Sequence, residues 1–222
     1  MRIRGVEIGF LGHSGFFIKN GKKIAIDPYN VSSEFNEKAD LILITHSHYD
    51  HCSIKDIEKL VYDGTIIICT ADSQSKVMKI EGIELQVIEA GDEIELDRIK
   101  INVIPAYNIK KEFHPKSEGW VGYVIKMDNV IVYHAGDTDF IPEMKKLTGH
   151  GKHGNEFVAL LPVSGKYVMD PEQAAKAASI ISPDISIPMH YGAGIAGTEK
   201  DAMDFVDLCT EKGIKAEILK KI

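Results

Sequence analysis

Apolar and polar residues alternate from Gly5 to Phe10, and after Gly12-His13-Ser14-Gly15 the short runs Phe16-Phe17-Ile18 and Lys22 to Asp27 continue the pattern. With Asn20-Gly21 as the turn between those two runs, the stretch predicts a β-meander, since strand side chains alternate between faces and Asn-Gly suits a tight hairpin. Leu41-Ile42-Leu43-Ile44 is a brief, continuous apolar run and predicts a buried strand. Ser53 then caps a predicted helix over Ile54 to Val61, with Asp56 at its third position and Gly64 as the stop. Further strands are expected at Thr65 to Thr70, Leu85 to Ile88, Glu93 to Leu96 and Ile99 to Pro105. Trp120 to Met127 and Val130 to His134 form a hairpin about Asp128-Asn129.

Helices enter in the second half. Asp137-Thr138 opens a predicted helix over Phe140 to Leu147, and Phe157 to Pro162 is again a strand. Asp170-Pro171-Glu172-Gln173 is a helix start with proline at the first position, where its missing N–H costs nothing. Ile185 to Pro188 reads as a strand, Thr198 to Lys212 as a helix stopped by Gly213, and Lys215 to Leu219 as a closing strand.

The chemistry gathers where three of these strands end. Thr45-His46-Ser47-His48-Tyr49-Asp50-His51 directly follows the buried run at Leu41. His46 and His48 lie two apart, so a loop can point both rings at one ion, and Asp50 and His51 can serve a second, against the plainer reading of a polar surface loop with chance histidines; imidazole with carboxylate suits zinc, iron and manganese. Tyr133-His134-Ala135-Gly136-Asp137-Thr138 follows another apolar strand, where Asp137 serves either as a helix cap or as a carboxylate bridging two cations. His190 stands at the end of Ile187-Pro188-Met189. No serine sits in a nucleophile elbow, which argues against a serine hydrolase.

The H-x-H-x-D-H stretch resembles the signature of the metallo-β-lactamase superfamily, as Gly136-Asp137-Thr138 and His190 resemble its later metal-binding segments, and the likeness runs from Gly12-His13-Ser14 to His190. It implies an α/β fold, an αββα sandwich of two mixed β-sheets with helices on the outer faces, and a hydrolase using a hydroxide bridging two divalent ions, zinc foremost with manganese or iron as alternatives. His46, His48 and His114 would hold one ion, Asp50, His51 and His190 the other, with Asp137 bridging and Asp50 orienting the hydroxide. The first ion's set is completed by His114, Asn108 or water; His114 is preferred because a neutral imidazole binds zinc better than an amide. Asp27, His134 and His13 are expected to support the ligands by hydrogen bonds, although a turn Asp and a packed core His fit as well. Tyr107, Asn108 and Tyr191 are expected to meet substrate. Among branches of the superfamily the lactonase-like, phospholipase D-like and RNase Z-like groups are nearest in pattern, so a phosphodiester or a lactone or ester of a small metabolite is the expected substrate. A non-catalytic metal-binding protein or a redox protein on the same fold is the alternative; flavodiiron oxidoreductases carry a glutamate in place of His48, which favours hydrolysis.

Composition narrows the partners. At 222 residues, 44% hydrophobic and 27% charged, the chain is expected to form one domain over 1–222. The net charge of −7 argues against general affinity for nucleic acid. Three scattered cysteines make no disulfide framework, the N-terminal residues enter a strand instead of a signal peptide, and no run is long enough to span a bilayer, so a cytoplasmic location off the membrane is expected.

Overall fold

The computed structural model describes residues 1–222. The chain divides into two compact units, Met1–Glu89 with Leu219–Ile222 and Ala90–Ile218, each built on one mixed sheet.

The first unit carries β1 (Arg2–Ile3), β2 (Val6–Gly12), β3 (Gly15–Asn20), β4 (Lys22–Ile26), β5 (Leu41–Ile44), β6 (Thr65–Thr70) and β7 (Ile83–Ile88), hydrogen-bonded in that order. β1 to β4 are an antiparallel meander, whereas β4 to β7 are parallel. Parallel neighbours need crossovers, and α1 (Ile54–Leu60) and α2 (Ala71–Val77) supply two of them. Ile57 and Leu60 of α1 and Val77 of α2 bury with Ile42, Ile44, Ile67 and Cys69 of the central strands. That contact fixes the C-terminal end of β5, where the histidine loop begins.

The second unit adds β8 (Glu93–Leu96), β9 (Ile99–Pro105), β10 (Val121–Met127), β11 (Val130–His134), β12 (Glu156–Pro162) and β13 (Ile185–Met189), ordered β13-β12-β11-β10-β9-β8. Again an antiparallel set, β8 to β11, gives way to a parallel one, β11 to β13. α3 (Pro171–Ile181) packs on β12 and α4 (Glu199–Glu211) on β13, the two helices meet, and α3 buries Ala174, Ala175, Ala177 and Ala178. Asp170 caps α3 by accepting from Gln173 N–H, and Thr198 with Asp201 completes a capping box on α4.

Four expectations are corrected. The helix expected over Phe140 to Leu147 is a 3-10 helix over Pro142–Leu147, because Asp139 N–H is engaged by Tyr107 O and the chain stays extended to Ile141. Lys215 to Leu219 forms only a single bridge, Ala216 to Ser186, since neither of its faces is buried enough to hold a strand. Ser53 sits at the N-cap of α1, yet its hydroxyl donates to Asp56 instead of accepting from the backbone. That helix also ends at Leu60, with Val61 extended, short of the expected stop at Gly64. α2 was not anticipated from the pattern.

Candidate metal centre

In the first unit the parallel register of β4 and β5 pairs Ile26 with Leu43, which sets Asp27 beside Thr45. Asp27 is fully buried and takes a left-handed backbone (φ 42°), with its N–H donating to Leu43 O. Its Oδ1 accepts from Thr45 N–H at 2.8 Å, while Oδ2 accepts from Thr45 Oγ1 at 2.6 Å and faces His51 Nδ1 at 2.7 Å. A carboxylate oxygen only accepts, so His51 carries its proton on Nδ1 and keeps a lone pair on Nε2. The same logic fixes His46. Its Nδ1 lies 2.9 Å from Thr45 Oγ1, whose proton is committed to Asp27, so that oxygen accepts from Nδ1–H and leaves the lone pair on Nε2. His46 Nε2 and His48 Nδ1 stand 3.0 Å apart.

Asp50 and His51 ride on a turn closed by His51 N–H and Cys52 N–H, both donating to His48 O. His13 Nε2 is 2.9 Å from Asp50 Oδ2, which in turn lies 3.7 Å from His51 Nε2. His13, His46, His51 and Asp50 are all buried, while His48 is partly exposed.

In the second unit three parallel strands bring their ends together. The register pairs His134 with Leu160 and Pro162 with Met189, so the residues that follow, Asp137, Ser164 and His190, become neighbours. His114 Nε2 and His190 Nε2 both point at Asp137 Oδ2, at 3.1 and 3.0 Å. His114 Nδ1 faces Asn108 Oδ1 at 3.2 Å and Tyr167 O at 3.1 Å; both oxygens only accept, so the proton sits on Nδ1 and Nε2 offers a lone pair. Ser164 Oγ lies 2.9 Å from His190 Nδ1. A lone pair on His114 Nε2 opposite a carboxylate oxygen calls for a positive charge between them. This donor set, neutral imidazole and carboxylate, is the one that divalent zinc, manganese and iron take.

The remaining expected residues fall around this set. His134 Nδ1 accepts from Gly136 N–H at 3.2 Å, shaping the turn that presents Asp137. Gly122 lets that turn pass: a Cβ there would lie 2.6 Å from His134 O and 2.8 Å from Ala135 O. Asn108 bridges the His114 loop to Tyr167, its amide N–H donating to Tyr167 O at 2.9 Å. The Tyr107 hydroxyl donates to Glu143 at 2.9 Å, and its pKa is raised by burial and by that carboxylate. Tyr191 is buried, which pushes its hydroxyl up to about 12. Thr45, Ser164 and the Tyr167 carbonyl, which set the tautomers or faces of three histidines, were missed from sequence. Only the pairing of strand ends reveals them.

Three mixed-sheet features now stand together: antiparallel strands leading into parallel ones, His/Asp sets at parallel strand ends, and a carboxylate met by two imidazoles. Residues 7–190 match the Beta-lactamase superfamily domain. Over 97% of the chain and 96% of the relative, the sequence is 33% identical to a UPF0173 metal-dependent hydrolase of Pyrococcus furiosus. A solved structure described as a metal-dependent hydrolase from Parabacteroides distasonis superposes with a TM-score of 0.81 at 33% identity, covering 97% of this chain and 94% of that one. Igni18, a metallo hydrolase from Ignicoccus hospitalis, gives 0.75 at 26% identity over 97% and 95%. The chain belongs to the metallo-β-lactamase superfamily and, within it, to the UPF0173 metal-dependent hydrolases. Its α/β fold of two mixed sheets with helices is the fold of that superfamily. No helix is long and apolar enough to cross a membrane.

Proposed function

We propose that this metal-dependent hydrolase uses two divalent ions, zinc foremost with manganese or iron as alternatives, to cleave a phosphodiester or a lactone or ester bond of a small cytoplasmic metabolite. The observation that carries the reading is the meeting of His114 Nε2 and His190 Nε2 on Asp137 Oδ2. His46, His48 and His114 would hold one ion, Asp50, His51 and His190 the other, with Asp137 shared. Bound ions of this kind lower the pKa of a water from about 15.7 to about 7 and polarise the oxygen of the bond to be cut. The chain's own residues supply order. Asp27 and Thr45 hold His51 and His46 in one tautomer, Asn108 and Tyr167 O do so for His114, and Asp50, tied to His13 through Oδ2, accepts a hydrogen bond from the attacking water. Three free, buried thiols accord with a reducing compartment.

The test is hydrolysis of bis(p-nitrophenyl) phosphate and of a γ-lactone by protein loaded with zinc or manganese, with Asp137→Ala as the blank. A metal-dependent rate on either substrate, lost in the variant, supports the reading and selects the bond. No rate on either, or an undiminished rate in Asp137→Ala, sinks it.

A further inference from the structure

The loop that presents His114 is pinned by a cation. Asn108 N–H donates to His114 O at 2.7 Å and His114 N–H to Asn108 Oδ1 at 3.1 Å, closing residues 109–113 into a small tip. Within the tip Ile109 N–H donates to Asp139 Oδ2 at 2.9 Å, and Lys111 Nζ donates both to Asp139 Oδ1 and to Val168 O, each at 2.6 Å. A surface lysine ordinarily keeps its ammonium in water, and the ion pairs it makes there are worth little. Here the Lys111 side chain is only 23% exposed and that of Asp139 only 9%. The two oxygens that Lys111 grips lie beside the two partners of the His114 ring. Asp139 follows Asp137 by two residues, and Asp137 Oδ2 meets His114 Nε2 at 3.1 Å. Val168 follows Tyr167, whose carbonyl faces His114 Nδ1 at 3.1 Å. Met169 N–H, donating to Thr138 O at 3.0 Å, joins the Asp137 and Tyr167 segments; Lys111 ties the His114 tip to both at once.

We propose that Lys111 is a positioning residue for the metal centre: held between Asp139 and Val168 O, its ammonium fixes the Asp137 and Tyr167 segments on either side of His114, so that Nε2 stays on Asp137. The contacts close a circuit from His114 through Asp137, Asp139, Lys111, Val168 and Tyr167 back to His114. A neutral side chain of the same length would fill the space yet leave a buried carboxylate oxygen and a carbonyl without their donor, and both segments would move to find another. The inference deepens the hydrolase reading and rests on it for the presence of an ion. A purely structural role would lower stability and leave the surroundings of the ion unchanged in whatever protein remains folded.

The probes are zinc and cobalt alone, without substrate. Trp120, the only tryptophan, reports zinc through its emission during competition with a chelator, because its ring centre is 5.3 Å from that of His114. Lys111→Met should weaken zinc binding by about 10–100-fold, the cost of losing a group that orients a ligand. It should also alter the visible absorption of cobalt-saturated protein, which reads ligand geometry and not stability. Lys111→Arg keeps a cation with donors for both oxygens and should retain most of the affinity and the wild-type spectrum. Lys200→Met, which breaks an exposed pair with Asp204 on α4, should change neither. The double variant Lys111→Met/Asp139→Asn strands no buried charge, so it keeps the comparison available if the single variant is unstable, and it should share the weak affinity and altered spectrum. Wild-type affinity or an unaltered cobalt spectrum in Lys111→Met or in the double variant overturns the role, as does Lys111→Arg impaired as much as Lys111→Met. Equal binding by wild type and Lys111→Met discards this role alone, whereas a wild-type protein that binds neither metal discards the metal reading with it. The expected losses in a protein that hydrolyses nothing would keep the role of Lys111 and discard the hydrolytic reading.

Discussion

Asn108 and His114 are partners: Asn108 Oδ1 accepts from the His114 backbone at 3.1 Å and faces its Nδ1 at 3.2 Å, and the Asn108 amide N–H is spent on Tyr167 O. An amide occupied at both ends positions a ring; it has no lone pair aimed elsewhere to offer an ion.

Asn108→Ala is therefore expected to weaken zinc binding by about 10–100-fold, the usual cost of losing such a support, while His114→Ala abolishes binding at that ion. Competition against a chelator, followed through Trp120, measures both. Equal losses in the two variants would make Asn108 a ligand in its own right.

Asp27 allows stability and affinity to be separated. Asp27→Ala orphans Thr45 N–H in the interior, at about 1–3 kcal/mol for each buried group left unmade, and the denaturant midpoint of metal-free protein should fall accordingly. Asp27→Asn restores an acceptor for Thr45 but turns a donor toward His51 Nδ1, so stability should recover in part and zinc affinity should not. Full recovery of both would show that the His51 tautomer does not matter.

The acid limb of stability should carry the mark of Asp56. Burial pushes its carboxyl up, but hydrogen bonds from Ser53 Oγ, Lys59 Nζ and Asn30 N–H outweigh that and hold it below its usual 3.8. A carboxyl depressed in the folded state stabilises fully above its unfolded pKa, and the benefit drains away as pH falls through the folded value. Asp56→Asn should be less stable at pH 7 by about 1–3 kcal/mol and lose less on going below pH 4. Parallel stability curves for the two proteins would refute this.

Gly122→Ala drives a Cβ into two backbone carbonyls that cannot swing aside. A loss of about 1–3 kcal/mol is expected, with weaker zinc binding, because the turn from His134 to Asp137 must shift. Wild-type melting and affinity would show that β10 yields instead.

The thiols should be silent. Burial raises Cys52 and Cys209 to about 11 and Cys69 to about 12, so almost none is thiolate at pH 8. Ellman's reagent should find no reactive thiol in native protein and all three in denaturant; a fast native reaction at Cys52 would show that the histidine loop opens.

Much of this was legible in the chain because it is local. The meander through Asn20-Gly21, the buried run at Leu41 and the helix starts at Asp170 and Thr198 each rest on residues a few positions apart. The histidine loop was readable for the same reason. What escaped was non-local. That Thr45 answers to Asp27, and Ser164 to His190, depends on which strands lie side by side, and parallel neighbours far apart in sequence leave no mark in a short window. The 3-10 turn at Pro142 was misread because Asp139, which would have sat in the approach to a helix, is committed to Tyr107 and to the 109–113 tip.

The parallel register of β11, β12 and β13 acts as a ruler. Hydrogen-bonded backbone spaces neighbouring strands about 4.8 Å apart whatever side chains they bear, so the two steps from β11 across β12 to β13 are metered by the sheet, and the turn from His134 to Asp137 spans what remains to His190. Drift in the surface sequence leaves that gauge untouched. Heating should leave it untouched as well until the strands part, so that within this unit the loosening of the ligands and the melting of the sheet are one event.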